Sequence, residues 1–121
     1  MKIKLLYLLL SISLYASCSL PTIPTQDSLS VTTSNNELKI INRSNKTIYL
    51  FVFEQKVAEL IDWGPHFNKP NVGKNSTTKI PLTNIYDGSN NPVTAGDKII
   101  IYYWDDTNKT RPKIFSKLIQ L

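Results

Sequence analysis

The sequence predicts an all-β protein, a small antiparallel β-sandwich that is immunoglobulin-like in the broad sense, with a small β-barrel as the alternative. Two runs carry this prediction, residues 47–54 (TIYLFVFE) and Lys98–Trp104 (KIIIYYW), in which β-branched and aromatic residues dominate. Shorter apolar runs alternate with turns rich in Gly, Pro, Asn and Asp. No segment has the length and the period of a long helix. Six or seven short strands joined by turns are typical of a sandwich.

The first strands are predicted from a change in composition near residue 37, where a Ser-, Thr- and Pro-rich stretch gives way to alternating polar and apolar residues. Residues 28–33 are a candidate first strand at the end of a Ser-, Thr- and Pro-rich stretch. Glu37–Asn42 alternates polar and apolar residues, which is the period of a half-buried strand. Residues 47–54 are almost wholly apolar and indicate a central strand covered on both faces. We expect these last two strands to form a hairpin across the polar turn between them.

The second half of the chain is predicted to alternate loops and strands. Residues 55–62 (QKVAELID) fit either a strand or a single helical turn, and both stay open. Residues 62–76 are irregular because they contain several Gly and Pro residues. Residues 77–82 form a short strand in which Pro81 implies an edge or an end. Residues 112–121 return as the last strand and pair with the strong central strand before them.

The N-terminus has the pattern of a secretory signal. Lys2 and Lys4 precede an apolar run over residues 5–16, and small residues follow it. A membrane-spanning helix needs about 20 apolar residues, so this run is too short for a retained transmembrane anchor. We therefore predict that residues 1–17 are a signal peptide that is removed on export.

Cys18, the single cysteine of the chain, stands directly after this segment. Residues 14–17 (LYAS) followed by Cys18 resemble the lipobox of bacterial lipoproteins, in which a pair of small residues precedes an invariant cysteine. That resemblance implies a diacylglyceryl thioether on Cys18, cleavage before it, and a place in the bacterial cell envelope, with the outer membrane expected and its face open. The alternative is ordinary cleavage that leaves a free thiol, which an oxidising compartment disfavours.

Residues 18–36 are predicted as the lipidated N-terminus and a flexible tether, and residues 37–121 as the β-sandwich domain. Within the tether, residues 27–29 (DSL) resemble the short acceptor of O-glycosylation in Bacteroidetes, which makes Ser28 a candidate modification site. Residues 46–65 are similar to stretches of small uncharacterised bacterial lipoproteins, a similarity that implies no activity.

Charge and metal-ligand counts exclude several functional classes. The chain has 14 Lys and Arg against 9 Asp and Glu, a net charge of +5, but the basic residues are scattered and form no stripe for nucleic acid. His66 is the single histidine, so a zinc or copper site with three or four N or S ligands is not expected. Asp105, Asp106 and Asn108 read as turn residues rather than as a calcium site. We expect no metal and no cofactor.

Five aromatic residues are the candidate ligand-binding residues. Trp63, His66 and Phe67 lie in the long irregular loop, and Tyr102 and Trp104 alternate along the second central strand. Loop aromatics can anchor a partner, or they can fold back and plug the end of a sandwich. The sequence leaves both open.

The functional prediction is a membrane-anchored envelope lipoprotein that acts as a non-catalytic binding or structural module. Its partners are the membrane, through the lipid on Cys18, and an envelope protein or a glycan. The alternative is a small secreted hydrolase, for which the sequence offers no acid–base cluster and no catalytic residue.

Overall fold

A computed structural model describes residues 28–121 of the chain. Cys18, the predicted signal peptide and most of the predicted tether lie outside the described residues. A single helical turn, α1 (Gln55–Ala58), and a 3-10 turn (Leu82–Asn84) accompany the strands. The strands are β1 (Leu29–Ser34), β2 (Glu37–Asn42), β3 (Ile48–Glu54), β4 (Asn71–Val72), β5 (Thr77–Pro81), β6 (Lys98–Trp104) and β7 (Phe115–Gln120).

The strands form two antiparallel sheets that pack face to face. One sheet has three strands in the order β1-β2-β5, and the other has four strands in the order β4-β3-β6-β7. The chain crosses between the sheets after β2, after β4 and again after β5. The predicted all-β sandwich, immunoglobulin-like in the broad sense, is therefore confirmed, and the barrel alternative is not formed.

The core lies between the sheets because each strand buries every second residue. Fully burying a Val, Leu, Ile or Phe side chain contributes about 1.5–3 kcal/mol, so this layer is the main source of stability. The buried cluster consists of Leu29, Leu38, Ile40, Ile48, Leu50, Val72, Ile85, Val93, Ile99, Ile101 and Tyr103.

The predicted hairpin between Glu37–Asn42 and the following strand is wrong. β2 pairs with β1 and β5, whereas β3 pairs with β4 and β6 in the other sheet. The reason is the buried Asn42, whose side-chain NH2 group shares its two hydrogens among the carbonyls of Lys46, Val72 and Gly73, at N···O distances of 2.7, 3.1 and 3.0 Å. These bonds turn the chain across the end of the sandwich instead of back along β2.

The first sheet begins inside the segment that the sequence assigns to the tether. β1 pairs with β2 over its whole length, from Leu29 opposite Asn42 to Ser34 opposite Glu37. Asn35 and Asn36 join the two strands, and both have positive φ, 51° and 60°. A two-residue turn of this kind matches the twist of the flanking strands. The folded domain thus includes the residues from 28 onwards.

The ambiguous segment 55–62 starts with a helical turn and then becomes irregular. Glu54, at the end of β3, is buried and its Oε2 accepts a hydrogen bond from the Val57 N–H at 3.0 Å, which caps α1. The stretch 62–76, predicted as irregular throughout, contains the two-residue strand β4. β5 ends at Pro81 on a sheet edge, and β7 pairs with β6, both as predicted.

Candidate functional site: an aromatic face on the four-stranded sheet

The aromatic residues of β3 and β6 lie on the outer side of the four-stranded sheet. They alternate with core residues such as Leu50 and Tyr103, which face each other inside the sandwich. On the outer side, Tyr49 pairs with Trp104, and Phe51 pairs with Tyr102. The alternation places a continuous apolar surface on the side of the sheet that usually meets water.

The loop between α1 and β4 returns across this surface. Trp63 lies 4.6 Å from Tyr102 and 5.8 Å from Trp104 between ring centroids, and its plane is inclined by only 19° to that of Trp104. It also contacts Phe51 edge-on at 5.6 Å. We call the surface and its loop residues the aromatic face, and its members are Tyr49, Phe51, Phe53, Trp63, His66, Phe67, Tyr102 and Trp104.

His66 fixes this loop to the edge of β3. Its Nε2 donates to the Leu50 carbonyl at 3.0 Å, and its Nδ1 accepts from the Asn68 N–H at 3.2 Å. This pattern assigns the proton to Nε2. Because β4 is only two residues long, the ring takes the place of a further strand residue beside β3. Both ring nitrogens are engaged by backbone groups rather than by a carboxylate.

Trp104 is the buried floor of the aromatic face. It is 1% exposed, and its Nε1 donates to the His66 carbonyl at 2.7 Å. Phe67 packs edge-on against Tyr49 at 5.3 Å, and the Lys109 Nζ lies 5.5 Å from the Phe67 ring centroid. The loop is thus held by a hydrogen bond at its centre and by ring contacts on either side.

The structure brings all five aromatic site residues together. Trp104 is buried, while Trp63, His66, Phe67 and Tyr102 are half-buried. The loop covers the outer face of the sheet rather than the end of the sandwich. The sequence prediction did not include three members of the aromatic face. The alternation of aromatic and aliphatic residues in β3 is the signal that could have identified them. They are Tyr49, Phe51 and Phe53.

The apolar surface extends beyond the part that the loop covers. Phe53 pairs with Ile100, and Ile100 pairs with Leu118 of β7, so one apolar row crosses three strands. Leu118 is 53% exposed. Leu60 and Ile61, just before Trp63, are also exposed.

The remaining site residues from the sequence lie elsewhere. Ser28 is half-buried and lies directly before β1, and its carbonyl accepts from the Arg43 N–H at 2.8 Å. Asp105 and Asn108 accept backbone hydrogen bonds from Thr107 and from Thr110, respectively, as turn residues do. Between residues 28 and 121 no group of three or more His, Cys, Asp or Glu side chains is placed to hold a metal ion.

A groove of about 610 Å³ opens beside β4, lined by residues of β3, β4 and β5 and by Lys69 and Pro70 of the loop that carries His66. It contains none of the residues predicted as a site, and Lys69 is the one ionisable side chain in its lining. The part of the chain that the structure describes has no helix of the length and apolarity needed to cross a membrane.

Comparisons with known proteins give no further guide to the site. No family model matches the chain, and no curated protein and no solved structure is significantly similar to it.

Proposed function

We propose that this protein is a lipid-anchored component of the bacterial cell envelope whose β-sandwich is a non-catalytic binding or structural module. Its anchor is the lipid on Cys18, its expected membrane is the outer membrane, and its partner is an envelope protein or a glycan. The observation that carries the binding role is the aromatic face, and above all the half-buried Trp63.

The anchor is supported by the lipobox-like residues before Cys18. Residues 19–27 separate Cys18 from the first described residue, and an extended chain of that length spans about 30 Å. Two or three acyl chains hold a protein stably on a bilayer, whereas one chain binds only marginally. The sandwich would therefore stay close to the membrane surface.

The binding role is supported by the way Trp63 is presented. One side of its ring system packs on Tyr102 and Trp104, and the ring contacts of Trp63 all come from the sheet beneath it. An aromatic plane that is fixed from below and reached by solvent from above can stack on a sugar ring or fill a pocket of a protein partner at a low entropic cost.

Replacing Cys18 tests the anchor. We expect Cys18→Ala to abolish labelling with radioactive palmitate and to move the protein from the membrane fraction to the soluble fraction. Thr25→Ala, a change in the same segment, should leave both unchanged. A Cys18→Ala protein that stays in the membrane fraction would contradict the lipid anchor.

Replacing Trp63 tests the binding role separately. The Cys18→Ala protein should bind purified envelope polysaccharide or a solubilised envelope protein in isothermal titration calorimetry. Trp63→Ala in that background should weaken binding at least tenfold, while Trp63→Phe should retain part of it. Thr32→Ala, on the opposite sheet, is the matched control. Equal affinities for Trp63→Ala and the parent protein would refute a role for the aromatic face.

A further inference from the structure

The turns of the sandwich are divided between two opposite ends. Three connecting segments meet at one end, and they are residues 43–47, 73–76 and 105–114. The Asn75 N–H donates to the Ser44 carbonyl at 3.0 Å, which joins the first two segments. The third segment follows Trp104, which pairs with Tyr49 near the start of β3. We call these three segments the basic end, because of the side chains that they carry.

The basic end has a strong excess of positive charge. Its basic side chains are Arg43, Lys46, Lys74, Lys109, Arg111 and Lys113. All of them are exposed except the half-buried Lys46. Asp105 and Asp106 are its two carboxylates, so six positive charges stand against two negative ones and the net charge is +4. Among residues 28–121 the single ion pair joins Lys79 to Glu37, outside this end. The six positive charges are therefore not neutralised by pairing within the described domain.

The opposite end of the sandwich has the opposite charge. The turn 35–36 and the segments 55–61 and 82–97 lie there, and the Leu82 N–H donates to the Asn36 carbonyl at 2.9 Å. The charged side chains of these segments are Lys56, Glu59, Asp87 and Asp97, with a net charge of −2. The fold thus separates charge along the strand direction, although the basic residues are scattered along the sequence.

The described part of the chain starts at the basic end. The Ser28 carbonyl accepts from the Arg43 N–H at 2.8 Å. Residues 19–27 separate Ser28 from Cys18, and an extended chain of that length spans about 30 Å. The basic end, rather than the opposite end, therefore lies on the shortest path from the sandwich to a lipid on Cys18.

We propose that the basic end docks on a membrane surface that contains anionic phospholipids, with its lysine and arginine side chains on the lipid phosphates. Each basic side chain near an anionic bilayer strengthens attachment about fivefold. Ile114, which is 38% exposed between Lys113 and Phe115, adds an apolar side chain for the interface. Charge complementarity and the position of Ser28 both favour a membrane over a soluble polyanion. The orientation rests on the proposed anchor, whereas the attraction itself requires no lipid on the protein.

Docking in this way leaves the aromatic face free for a partner. The strands run from the basic end to the opposite end, so they stand away from the bilayer when the basic end lies on it. The aromatic face covers the side of the sandwich and is then reached from the side. The negative charges of the opposite end point away from the anionic surface, in the orientation that repulsion between like charges favours.

Vesicle binding tests the docking surface without the lipid anchor. The chain from residue 18 onwards with Cys18→Ala, which has neither signal nor lipid, should sediment with phosphatidylcholine vesicles that contain phosphatidylglycerol. It should not sediment with phosphatidylcholine alone. Binding should weaken with added salt, because the Debye length falls from about 10 Å at 0.1 M to about 3 Å at 1 M. Equal binding to both kinds of vesicle, or no binding to the anionic ones, would overturn the proposal.

A pair of variants with equal net charge separates this end from the general basicity of the chain. The first variant loses one charge from each segment of the basic end, through Arg43→Gln, Lys74→Gln and Arg111→Gln. Its partition onto anionic vesicles should fall roughly tenfold or more. The control loses three charges elsewhere, through Lys39→Gln, Lys56→Gln and Lys98→Gln. It should bind within about twofold of the parent chain. Equal losses in the two variants would overturn the assignment to the basic end.

Fluorescent labels at the two ends measure the orientation without removing any charge. In the same background, Asn45→Cys at the basic end and Ser89→Cys at the opposite end each supply a single thiol for an environment-sensitive dye. Anionic vesicles should shift the emission of the dye at residue 45 to the blue and leave the dye at residue 89 unchanged. Equal shifts would contradict the orientation. Release from the vesicles by soluble polyphosphate, at matched phosphate concentration and ionic strength, would assign the basic end to a soluble polyanion and overturn the proposal.

The anchor and the docking surface are scored by different measurements. Palmitate labelling reports the lipid on Cys18, and vesicle binding of the chain without lipid reports the basic end. In the cell fractionation that tests the anchor, washing the membranes in about 1 M salt removes the contribution of the basic end, because the Debye length is then about 3 Å. Failure of one proposal therefore leaves the other readable.

Discussion

The two sheets of this sandwich share one core but present opposite kinds of outer surface. On the three-stranded sheet, one cross-strand row consists of Thr32, Lys39 and Lys79, all exposed. On the four-stranded sheet, the outer rows are aromatic, and a loop lies over them. A sheet with one solvated face is the ordinary arrangement, so the polar outer surface is explained by the fold alone. The aromatic outer surface requires a further explanation.

Part of that explanation is structural, because the loop and the sheet cover each other. The Trp104 indole on β6 donates a hydrogen bond to the His66 carbonyl in the loop. The His66 ring in turn donates a hydrogen bond to the Leu50 carbonyl on β3. The outer side of the four-stranded sheet is therefore a second, smaller core. Trp63 stays half-buried in this second core, and the aromatic face around it is the surface that we assign to a partner.

The largest effect on stability is expected when Trp104, the buried floor of the aromatic face, is truncated. Trp104→Ala should lower the free energy of unfolding by about 3–5 kcal/mol, because it leaves a large cavity and an unpaired His66 carbonyl. Urea denaturation followed by circular dichroism measures this loss. Trp104→Phe, which keeps most of the volume, should cost clearly less. A loss below about 1 kcal/mol for Trp104→Ala would show that the loop does not pack as described.

Removing the ring that holds the loop should have the next largest effect. His66→Ala deprives the Leu50 carbonyl and the Asn68 N–H of their partners, and we expect a loss of about 1–3 kcal/mol in the free energy of unfolding. Hydrogen exchange should show faster exchange across residues 59–70. Pro65→Ala, an exposed change in the same loop, is the control. Unchanged exchange in His66→Ala would contradict the anchoring role of the ring.

Truncating Trp63 sharpens the distinction between packing and binding. Because this side chain is half-buried, Trp63→Ala should cost about 1–2 kcal/mol of stability, less than Trp104→Ala. Its effect on partner affinity should exceed its effect on folding. If Trp63→Ala destabilises the fold as much as Trp104→Ala does, Trp63 is a core residue and the binding role loses its main support.

The smallest effect is expected on the polar outer surface. The Lys79 Nζ lies 3.7 Å from the Glu37 Oε1, and the Lys79 side chain is 60% exposed. Exposed ion pairs contribute little, so Lys79→Ala should change the free energy of unfolding by less than about 0.5 kcal/mol. The same urea denaturation measures it. A loss above about 1 kcal/mol would mean that the polar outer surface contributes more to stability than its exposure indicates.

The sequence predicts strands well where local composition decides them, and poorly where distant contacts do. β3 and β6 follow from their runs of β-branched and aromatic residues. The hairpin after β2 is mispredicted because Asn42 binds carbonyls about thirty residues away, at Val72 and Gly73. No periodicity in the segment itself contains that information.

The candidate site divides in the same way. That Trp63, His66 and Phe67 lie in a loop is readable from the neighbouring Gly and Pro residues. Where the loop lies is decided by two long-range hydrogen bonds, from His66 to Leu50 and from Trp104 to His66. β4 was missed because a two-residue strand is defined by its partner and not by its own sequence.

The placement of the tryptophans makes the aromatic face directly observable. The chain has two tryptophans, Trp63 and Trp104, and they stack on each other. Intrinsic fluorescence excited selectively in the indole band therefore comes from this one surface and from no other part of the molecule. The emission of the unlabelled protein is a local probe of this surface, which reports movement of the loop or arrival of a partner without an added label.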